Sequence, residues 1–145
     1  SLGGTFYKMK VIIVGCGRVG STLARKLDEE GHEVTVIDLN ESQFSRLGEN
    51  FTGKTIKGTG IDEDVLRSAG IEEADAFVAA TNGDNRNIMA SQIAKEIFRV
   101  PHVITRIYDP IRADMYRELG IDTIPSTTII VGIIHDRIIK ENQAS

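Results

Sequence analysis

The stretch VIIVGCGRVGSTLARKL, residues 11–27, decides the fold class of this chain. It begins with a short β-branched run, typical of a buried strand, and turns at the glycine-rich segment GCGRVG, residues 15–20. Helical spacing follows, because Val19, Leu23 and Leu27 are four residues apart. A strand, a glycine-rich turn and a helix in this order predict a loop that holds a phosphate at the N-terminus of the helix.

Strand-like and helix-like segments alternate along the rest of the chain. The predicted strands are Lys10–Val14, Glu33–Ile37, Lys54–Lys57, Asp75–Ala80, His102–Arg106 and Ile121–Ile124. The predicted helices are Arg18–Glu30, Glu41–Asn50, Asp62–Ala69, Asn85–Phe98, Ile111–Leu119 and Thr127–Asn142. This alternation predicts an α/β fold: a Rossmann-like, doubly wound parallel sheet of six strands in the order 3-2-1-4-5-6, with helices on both faces. The ligand is expected beside the first strand, where the strand order reverses.

The composition is that of one folded domain. The 145 residues are 41% hydrophobic and 26% charged, which argues against disorder. A net charge of −4 gives no indication of nucleic acid as a partner, and the single cysteine, Cys16, excludes an internal disulfide. Residues 1–8 precede Met9 and are interpreted as leader or added residues, so the predicted domain spans 9–142.

Each glycine of the loop has a distinct mechanical role. Gly15 allows the tight turn after the strand, Gly17 lets a pyrophosphate approach the backbone, and Gly20 lets the helix pack closely. Asp38 ends the second strand about 20 residues later, where a carboxylate accepts hydrogen bonds from ribose hydroxyls. It would also repel a 2′-phosphate, and Leu39 follows instead of an arginine, so NADP is disfavoured.

Two further segments follow predicted strands and have two interpretations each. GTGIDEDVL, residues 58–66, can contact the nucleoside or can be a plain connection capped by Asp62. ATNGDNRNI, residues 80–88, can face the ligand at the Thr81–Gly83 turn or can serve only as a turn and helix cap.

The residues expected of a catalyst are missing from the sequence. No tyrosine is followed four residues later by a lysine, and the three histidines are scattered without metal-ligand spacing. We therefore predict no catalytic residue, no metal site and no enzymatic activity. A stand-alone NAD-dependent oxidoreductase module remains the enzyme alternative. Because Cys16 lies near a helix N-terminus, where the thiolate is favoured, a redox-sensing nucleotide binder is a third hypothesis.

The last predicted helix carries more apolar residues than one packing face needs. Isoleucine occupies positions 129, 130, 133, 134 and 138 of TTIIVGIIHDRIIKENQAS, residues 127–145. One interpretation is a subunit interface, and the other is docking of the helix onto its own sheet.

The sequence resembles the RCK or KTN (TrkA-N) domains, the nucleotide-binding regulatory domains of Trk/Ktr-type potassium uptake systems and potassium channels. The resemblance begins with MKVIIVGCGRVGSTLARKLDEEGHEVTVIDLNE, residues 9–41, and continues through GTGIDEDVLRSAGIEEADAFVAATNGDNRNIMASQIAK, residues 58–95. It extends through VITRIYDP, residues 103–110, and LGIDTIPS, residues 119–126.

This resemblance implies a cytosolic regulatory subunit that gates a potassium transporter or channel in response to a nucleotide. The implied ligand is an adenine nucleotide (ATP, ADP or AMP) or NAD(H). The implied partners are a second copy, in a homodimer or a higher ring, and a membrane-embedded potassium-translocating subunit. The implied location is cytoplasmic, peripheral to the inner face of the cell membrane.

The resemblance also implies roles for individual residues. Arg18 matches the arginine that approaches the terminal phosphates, and Asp38 matches the ribose-binding acid. Helix 127–142 matches a crossover helix that packs on the partner subunit. Two positions depart from the family pattern: Thr59 replaces a frequent aspartate, and Ser126 replaces a cation-binding glutamate. The predicted binding residues are Gly15, Cys16, Gly17, Arg18, Val19, Gly20, Asp38, Leu39, Gly58, Thr59, Thr81, Asn82, Gly83 and Arg106.

Overall fold

A computed structural model describes residues 6–144 of the chain, and the side chains of residues 6–141. The strands in this range are β1 (Lys10–Val14), β2 (Glu33–Asp38), β3 (Lys54–Lys57), β4 (Ala76–Ala79), β5 (His102–Arg106) and β6 (Asp122–Ile124). The α-helices are α1 (Arg18–Glu29), α2 (Glu63–Ser68), α3 (Asp84–Gln92), α4 (Pro110–Glu118) and α5 (Ser126–Ala144). All strand pairs are parallel and their order is β3-β2-β1-β4-β5-β6, which confirms the predicted fold.

Strand β1 lies at the centre of the sheet and is buried on both faces. Val11 and Ile13 pack on one face in a cluster that includes Ala24 of α1. Ile12 and Val14 pack on the other face in a cluster that includes Leu66 of α2. A parallel sheet covered on both sides needs such a continuous apolar run in its central strand.

The predicted helix Glu41–Asn50 is wrong in type and length, because the chain forms a 3₁₀ helix over Glu41–Leu47. The Asn40 side chain caps its start by accepting a hydrogen bond from the backbone N–H of Ser42 at 3.2 Å. Inside the segment, the Ser45 hydroxyl donates to the Ser42 carbonyl at 3.0 Å and so competes with α-helical hydrogen bonds. Gly48, with a φ of +78°, ends it.

The predicted helix Asn85–Phe98 consists of α3 and a following π-helical turn, Ile93–Ile97. Residues Phe6 and Tyr7 of the predicted leader contact the domain. The Phe6 ring lies 5.3 Å from the His32 ring, and the Tyr7 hydroxyl donates to Asp75 at 3.1 Å. The first five residues of that leader lie outside the described part of the chain.

Helix α5 does not pack its apolar residues onto the sheet of its own chain. Every isoleucine named in this helix above is exposed, between 46% for Ile129 and 60% for Ile138. Docking of the helix onto its own sheet is therefore wrong, while the interface interpretation stays a prediction. A second exposed apolar stripe runs along α4 through Ile111, Met115 and Leu119. Within residues 6–144, no helix has the length and apolar character that a bilayer crossing requires.

The glycine-rich turn brings α1 very close to the end of β1. A Cβ atom added to Gly20 would lie 1.7 Å from the carbonyl oxygen of Gly15, so any side chain there would displace the helix or the loop. Gly15 itself has a φ of +106°, and a Cβ on it would lie 2.7 Å from the carbonyl oxygen of Ala80. Only glycine fits both positions without movement of the backbone.

We expect Gly20→Ala to lower the free energy of unfolding by about 1–3 kcal/mol or more, because the added methyl collides with backbone. The matched control is Gly132→Ala in α5, where no described atom lies within 4 Å of the added methyl. The control is expected to be neutral or stabilising by about 0.5–1 kcal/mol. Thermal and urea unfolding measure both changes, and equal stabilities for the two variants would contradict the close approach.

Candidate functional site

A cleft of about 700 Å³ opens at the carboxyl edge of the sheet, where the ends of β1, β2 and β4 meet. Backbone hydrogen bonds join the ends of these strands at this edge. Gly15 N–H donates to the Ile37 carbonyl, and Ala80 N–H donates to the Val14 carbonyl, each at 2.8 Å. The loop after β1 is thus held between the ends of both neighbouring strands. The residues that line the cleft are Val14, Gly15, Gly17, Arg18, Val19, Ile37, Asp38, Leu39, Asn40, Gln43, Arg46, Gly58, Thr59, Ile61, Ala80, Thr81, Asn82, Arg86, Arg106 and Tyr108.

The glycine-rich loop presents the N-terminus of α1 to the cleft. Gly17 is the N-cap residue of the helix, and no side chain caps the first N–H groups of the helix. A Cβ atom on Gly17 would meet no described atom within 4 Å, so this position faces open space. Free N–H groups at the positive end of a helix dipole, beside open space, form a favourable site for an anion.

The Asp38 carboxylate is fixed at the end of β2 by two backbone donors. Oδ2 accepts from Cys16 N–H at 2.7 Å, and Oδ1 accepts from Asn40 N–H at 2.8 Å. A carboxylate has about four lone-pair sites, so each oxygen can accept one more hydrogen bond. The side chain is only half-buried and lines the cleft, where those remaining sites can take hydroxyl donors.

The buried Asn87 side chain joins the loop that follows β4 to the end of β5. Its Oδ1 accepts from Thr81 N–H at 2.9 Å and from the Thr81 hydroxyl at 2.5 Å. Its Nδ2 donates to the carbonyl oxygens of Thr81 at 2.9 Å and Arg106 at 2.8 Å. All the hydrogen-bonding capacity of one amide is thus used to hold two cleft residues in place.

A second contact set fixes the loop after β5. The Asp84 carboxylate accepts backbone N–H groups of Tyr108 at 2.8 Å and Asp109 at 3.1 Å. The Tyr108 ring lies under the Arg106 guanidinium, with its centre 4.4 Å from Cζ, and its hydroxyl donates to Asn82 at 3.2 Å. Asp84 therefore places the aromatic ring that supports Arg106.

Positive charge is concentrated in the cleft although the whole chain is acidic. Arg18, Arg46, Arg86 and Arg106 line it, against a single carboxylate, Asp38. None of the four arginines forms an ion pair with a residue in the described range. Cations of this density beside a helix N-terminus produce a local potential that attracts polyanions.

The chain matches the family model described as "TrkA-N domain" over residues 11–127. It belongs to the TrkA-N domain family. One relative, the Trk system potassium uptake protein TrkA of Streptomyces coelicolor, is 53% identical over 116 residues, which is 80% of this chain and 52% of the relative. The chain therefore spans about half the length of that relative.

Solved structures share the fold of this TrkA-N domain. Kef CTD of Shewanella denitrificans in its AMP-bound form has a TM-score of 0.73 at 22% identity, covering 90% of this chain and 81% of its own. The GsuK channel bound to NAD has a TM-score of 0.70 at 24% identity, covering 85% of this chain and 22% of its own.

Most of the sequence-predicted residues of this TrkA-N domain meet in one cleft. Cys16, Gly20 and Gly83 do not line it: Gly20 packs under the loop, and Gly83 lies behind the Arg86 guanidinium. The predicted residues that do line it are Gly15, Gly17, Arg18, Val19, Asp38, Leu39, Gly58, Thr59, Thr81, Asn82 and Arg106. Their role in binding stays a prediction.

Sequence reasoning missed four residues that shape this TrkA-N cleft. Arg46 and Arg86 line it, Tyr108 supports Arg106, and Asn87 ties the β4 loop to β5. Arg86 and Asn87 stand inside the TNGDNRNI segment, whose position after a strand was the available signal. Arg46 had no such signal, because it reaches the cleft only through the 3₁₀ helix.

The Cys16 thiol is fully buried beneath the loop and donates to the Gln43 carbonyl at 3.3 Å. Burial, together with the nearby Asp38 carboxylate, raises the pKa of this thiol to about 11, and Arg46 opposes them only in part. The expectation that the helix N-terminus favours the thiolate is therefore wrong. Desolvation and the Asp38 charge disfavour the thiolate, and the structure of this TrkA-N domain does not favour the redox-sensing alternative.

A second cavity, of about 440 Å³, opens at the amino end of the strands, lined by charges of both signs such as Lys10, Lys54, Glu33 and Glu73. It has no glycine-rich loop among its described residues, and the helix that starts beside it, after Gly70, is a 3₁₀ helix of only three residues. The larger cleft is therefore the candidate site of this TrkA-N domain. Within residues 6–144, no cluster of three or more potential metal ligands is present.

We expect Gly17→Val to keep the fold but to lose nucleotide binding, because its side chain would fill space beside the loop without touching the protein. Calorimetric titration with ATP and NAD tests binding, and circular dichroism tests the fold. The site assignment would be contradicted by a folded variant with wild-type affinity.

We expect Cys16 in the native protein to react with iodoacetamide at least about 100-fold more slowly than free cysteine at pH 7.5. The raised pKa leaves little thiolate, and burial blocks access. Reaction in urea provides the control, since unfolding restores an ordinary thiol. Fast native labelling would revive the redox hypothesis.

Proposed function

We propose that this chain is the nucleotide-sensing domain of a regulatory subunit that controls a potassium transporter or channel. The observation that carries the proposal is the cleft at the reversal of strand order, where the glycine-rich loop, Asp38 and four arginines converge. Ligands of open α/β sheets bind at this place. The 53% identity to a protein named for potassium uptake supports the transport role.

The proposed ligand is an adenine nucleotide (ATP, ADP or AMP) or NAD(H). The loop and the α1 N-terminus would hold phosphates, and the free lone pairs of Asp38 would accept ribose hydroxyls. Solved neighbours with AMP, NAD and ADP bound support this ligand class. The Asp38 charge would repel a 2′-phosphate, so NADP is disfavoured, even though Arg46 lines the same cleft.

Binding rather than catalysis is the proposed activity. The described residues that line the cleft include no histidine and no lysine. Its tyrosine, Tyr108, donates to Asn82 and stacks on Arg106, and its carboxylate, Asp38, accepts two backbone N–H groups, so neither is arranged as a free acid or base. A bound nucleotide would act through unequal affinity for two conformations of the subunit, and the difference would bias the attached pore. Asn87 and Asp84 offer a route, since they connect the cleft to α3 and to the loop before α4.

The proposed assembly is a homodimer, able to extend into a ring, docked on a membrane-embedded potassium-translocating subunit. The exposed isoleucines of α5 support it, because a partner copy would remove that apolar surface from water. The proposed location is the cytoplasm, at the inner face of the cell membrane. This location follows from the resemblance to the regulatory domains of Trk/Ktr-type uptake systems.

We expect the wild-type protein to be stabilised by ATP, ADP, AMP, NAD or NADH, and to bind NADH more tightly than NADPH. A ligand that binds only the folded state raises the melting temperature, by an amount that grows with its concentration over Kd. Differential scanning fluorimetry identifies the binders, and calorimetry gives their affinities. The absence of any nucleotide binding would refute the proposal, and a preference for NADPH would refute the role of Asp38.

We expect Ile138→Glu to dissociate the dimer while leaving the melting temperature of each subunit little changed, because Ile138 is 60% exposed in the single chain. The control is Thr128→Glu, which adds the same charge to the same helix at a polar position. Light scattering reports the mass. A wild-type mass near 15.9 kDa at micromolar concentration would contradict the dimer.

A further inference from the structure

We propose that Arg86 is a phosphate-binding residue of the cleft, and that with Arg18 and Arg106 it selects nucleotides with free terminal phosphates over dinucleotides. This inference rests on the proposed function, since it assigns the ligand class of the same site. Neither the glycine-rich loop nor the Asp38 carboxylate makes that choice, because AMP, ATP and NAD all contain the adenosine phosphate that these groups would hold.

Arg86 reaches the cleft because the residue before its helix is a glycine. It lies in the first turn of α3, and its guanidinium folds back against Gly83, the N-cap residue. A Cβ atom on Gly83 would lie 2.8 Å from Arg86 Nε and 3.1 Å from Nη2. Any other residue at position 83 would displace this guanidinium, which lines the cleft with Arg18 and Arg106.

The position of Arg86 is electrostatically unfavourable unless an anion is near. A cation in the first turn of a helix lies against the positive end of the helix dipole. The acid of the same turn, Asp84, directs its carboxylate oxygens to the backbone N–H groups of Tyr108 and Asp109 and forms no ion pair with Arg86. Arg86 forms no ion pair within residues 6–144. A phosphate group in the cleft would interact favourably with both the helix dipole and the guanidinium.

Arg106 supplies an independent sign of an anion at the same end of the cleft. Its Nε is buried and has no hydrogen-bond partner among the described residues. Its guanidinium is held over the Tyr108 ring at 4.4 Å, so it cannot turn freely to find one. A buried donor without a partner costs free energy, and a phosphate oxygen would remove that cost.

The strand order decides which part of a nucleotide meets these arginines. Asp38 ends β2, while Arg106 ends β5 and Arg86 follows β4, so they lie on opposite sides of the loop after β1. A ribose at Asp38 leaves its phosphates on the loop and directs whatever follows them toward β4 and β5. In ATP and ADP, negative phosphates follow. In NAD, a second ribose and a nicotinamide ring follow, and these give arginines no anionic partner.

The test is calorimetric titration of the wild type, Arg86→Gln and Arg25→Gln with ATP, ADP, AMP and NAD. Arg25 is exposed on α1 and does not line the cleft, so it controls for the loss of one positive charge. We expect Arg86→Gln to weaken ATP binding by roughly 10- to 100-fold, as the loss of charge-assisted hydrogen bonds implies. ADP should lose less, AMP and NAD should change little, and Arg25→Gln should match the wild type.

The outcomes separate this inference from the proposed function. If the wild type binds none of the four nucleotides, the proposed function is refuted, and the inference about Arg86 is refuted with it. If the wild type binds NAD more tightly than ATP, the proposed selection of nucleotides with free terminal phosphates is refuted, and the proposed function is not. Equal losses for ATP and AMP in Arg86→Gln, or no loss for ATP, overturn the role of Arg86. Arg86→Lys keeps the charge, so partial recovery of ATP affinity in a variant with a wild-type melting temperature supports it.

Discussion

The close packing of Gly20 on the Gly15 carbonyl is the constraint on which the rest of the structure depends. It sets α1 against the end of β1 with no room for a side chain. The N-terminus of α1 therefore opens at the carboxyl edge of the sheet, and Gly17 faces free space there. Because β2 and β4 flank β1, their ends deliver Asp38 on one side of the loop and Thr81 on the other. One close backbone contact thus places the helix N-terminus, Asp38 and the β4 loop together.

The cleft shows how a protein of net charge −4 can still attract an anion. Its four arginines come from α1, the 3₁₀ helix, α3 and the end of β5, so no single segment looks strongly basic. The sheet brings these segments to one edge and excludes acids from it, apart from Asp38. Local charge, rather than total charge, decides which ligands approach. The polar network of Asn87, Asp84 and Tyr108 then holds two of the cationic segments in a fixed relation.

Helix α5 differs from the cleft in that its apolar residues have no packing partner within the described chain. A single chain that exposes six isoleucines and a valine on one helix carries surface typical of an interface. The stripe of Ile111, Met115 and Leu119 on α4 adds to the apolar surface of the same part of the chain. The loop before α4 is tied to α3 by Asp84, so hydrogen bonds of one carboxylate join the cleft to the start of the helix that carries the α4 stripe. The proposed regulation needs such a link between ligand and assembly.

The sequence by itself determined the fold, because strand-like and helix-like segments alternate along the chain and a glycine-rich turn at residues 15–20 joins the first strand to its helix. It also determined Gly15, Gly17 and Asp38 as cleft residues, because they lie at or directly after the carboxyl ends of two neighbouring parallel strands. Only the tertiary structure decided which residues that are distant in the sequence lie close together in space. It buried Cys16 and raised its pKa, brought Arg46 in through a 3₁₀ helix, and placed Asn87 between the β4 loop and the end of β5. It also showed that the apolar residues of α5 are exposed in the single chain. The sequence could not predict this, because apolar periodicity predicts that a helix face is buried but not which molecule buries it.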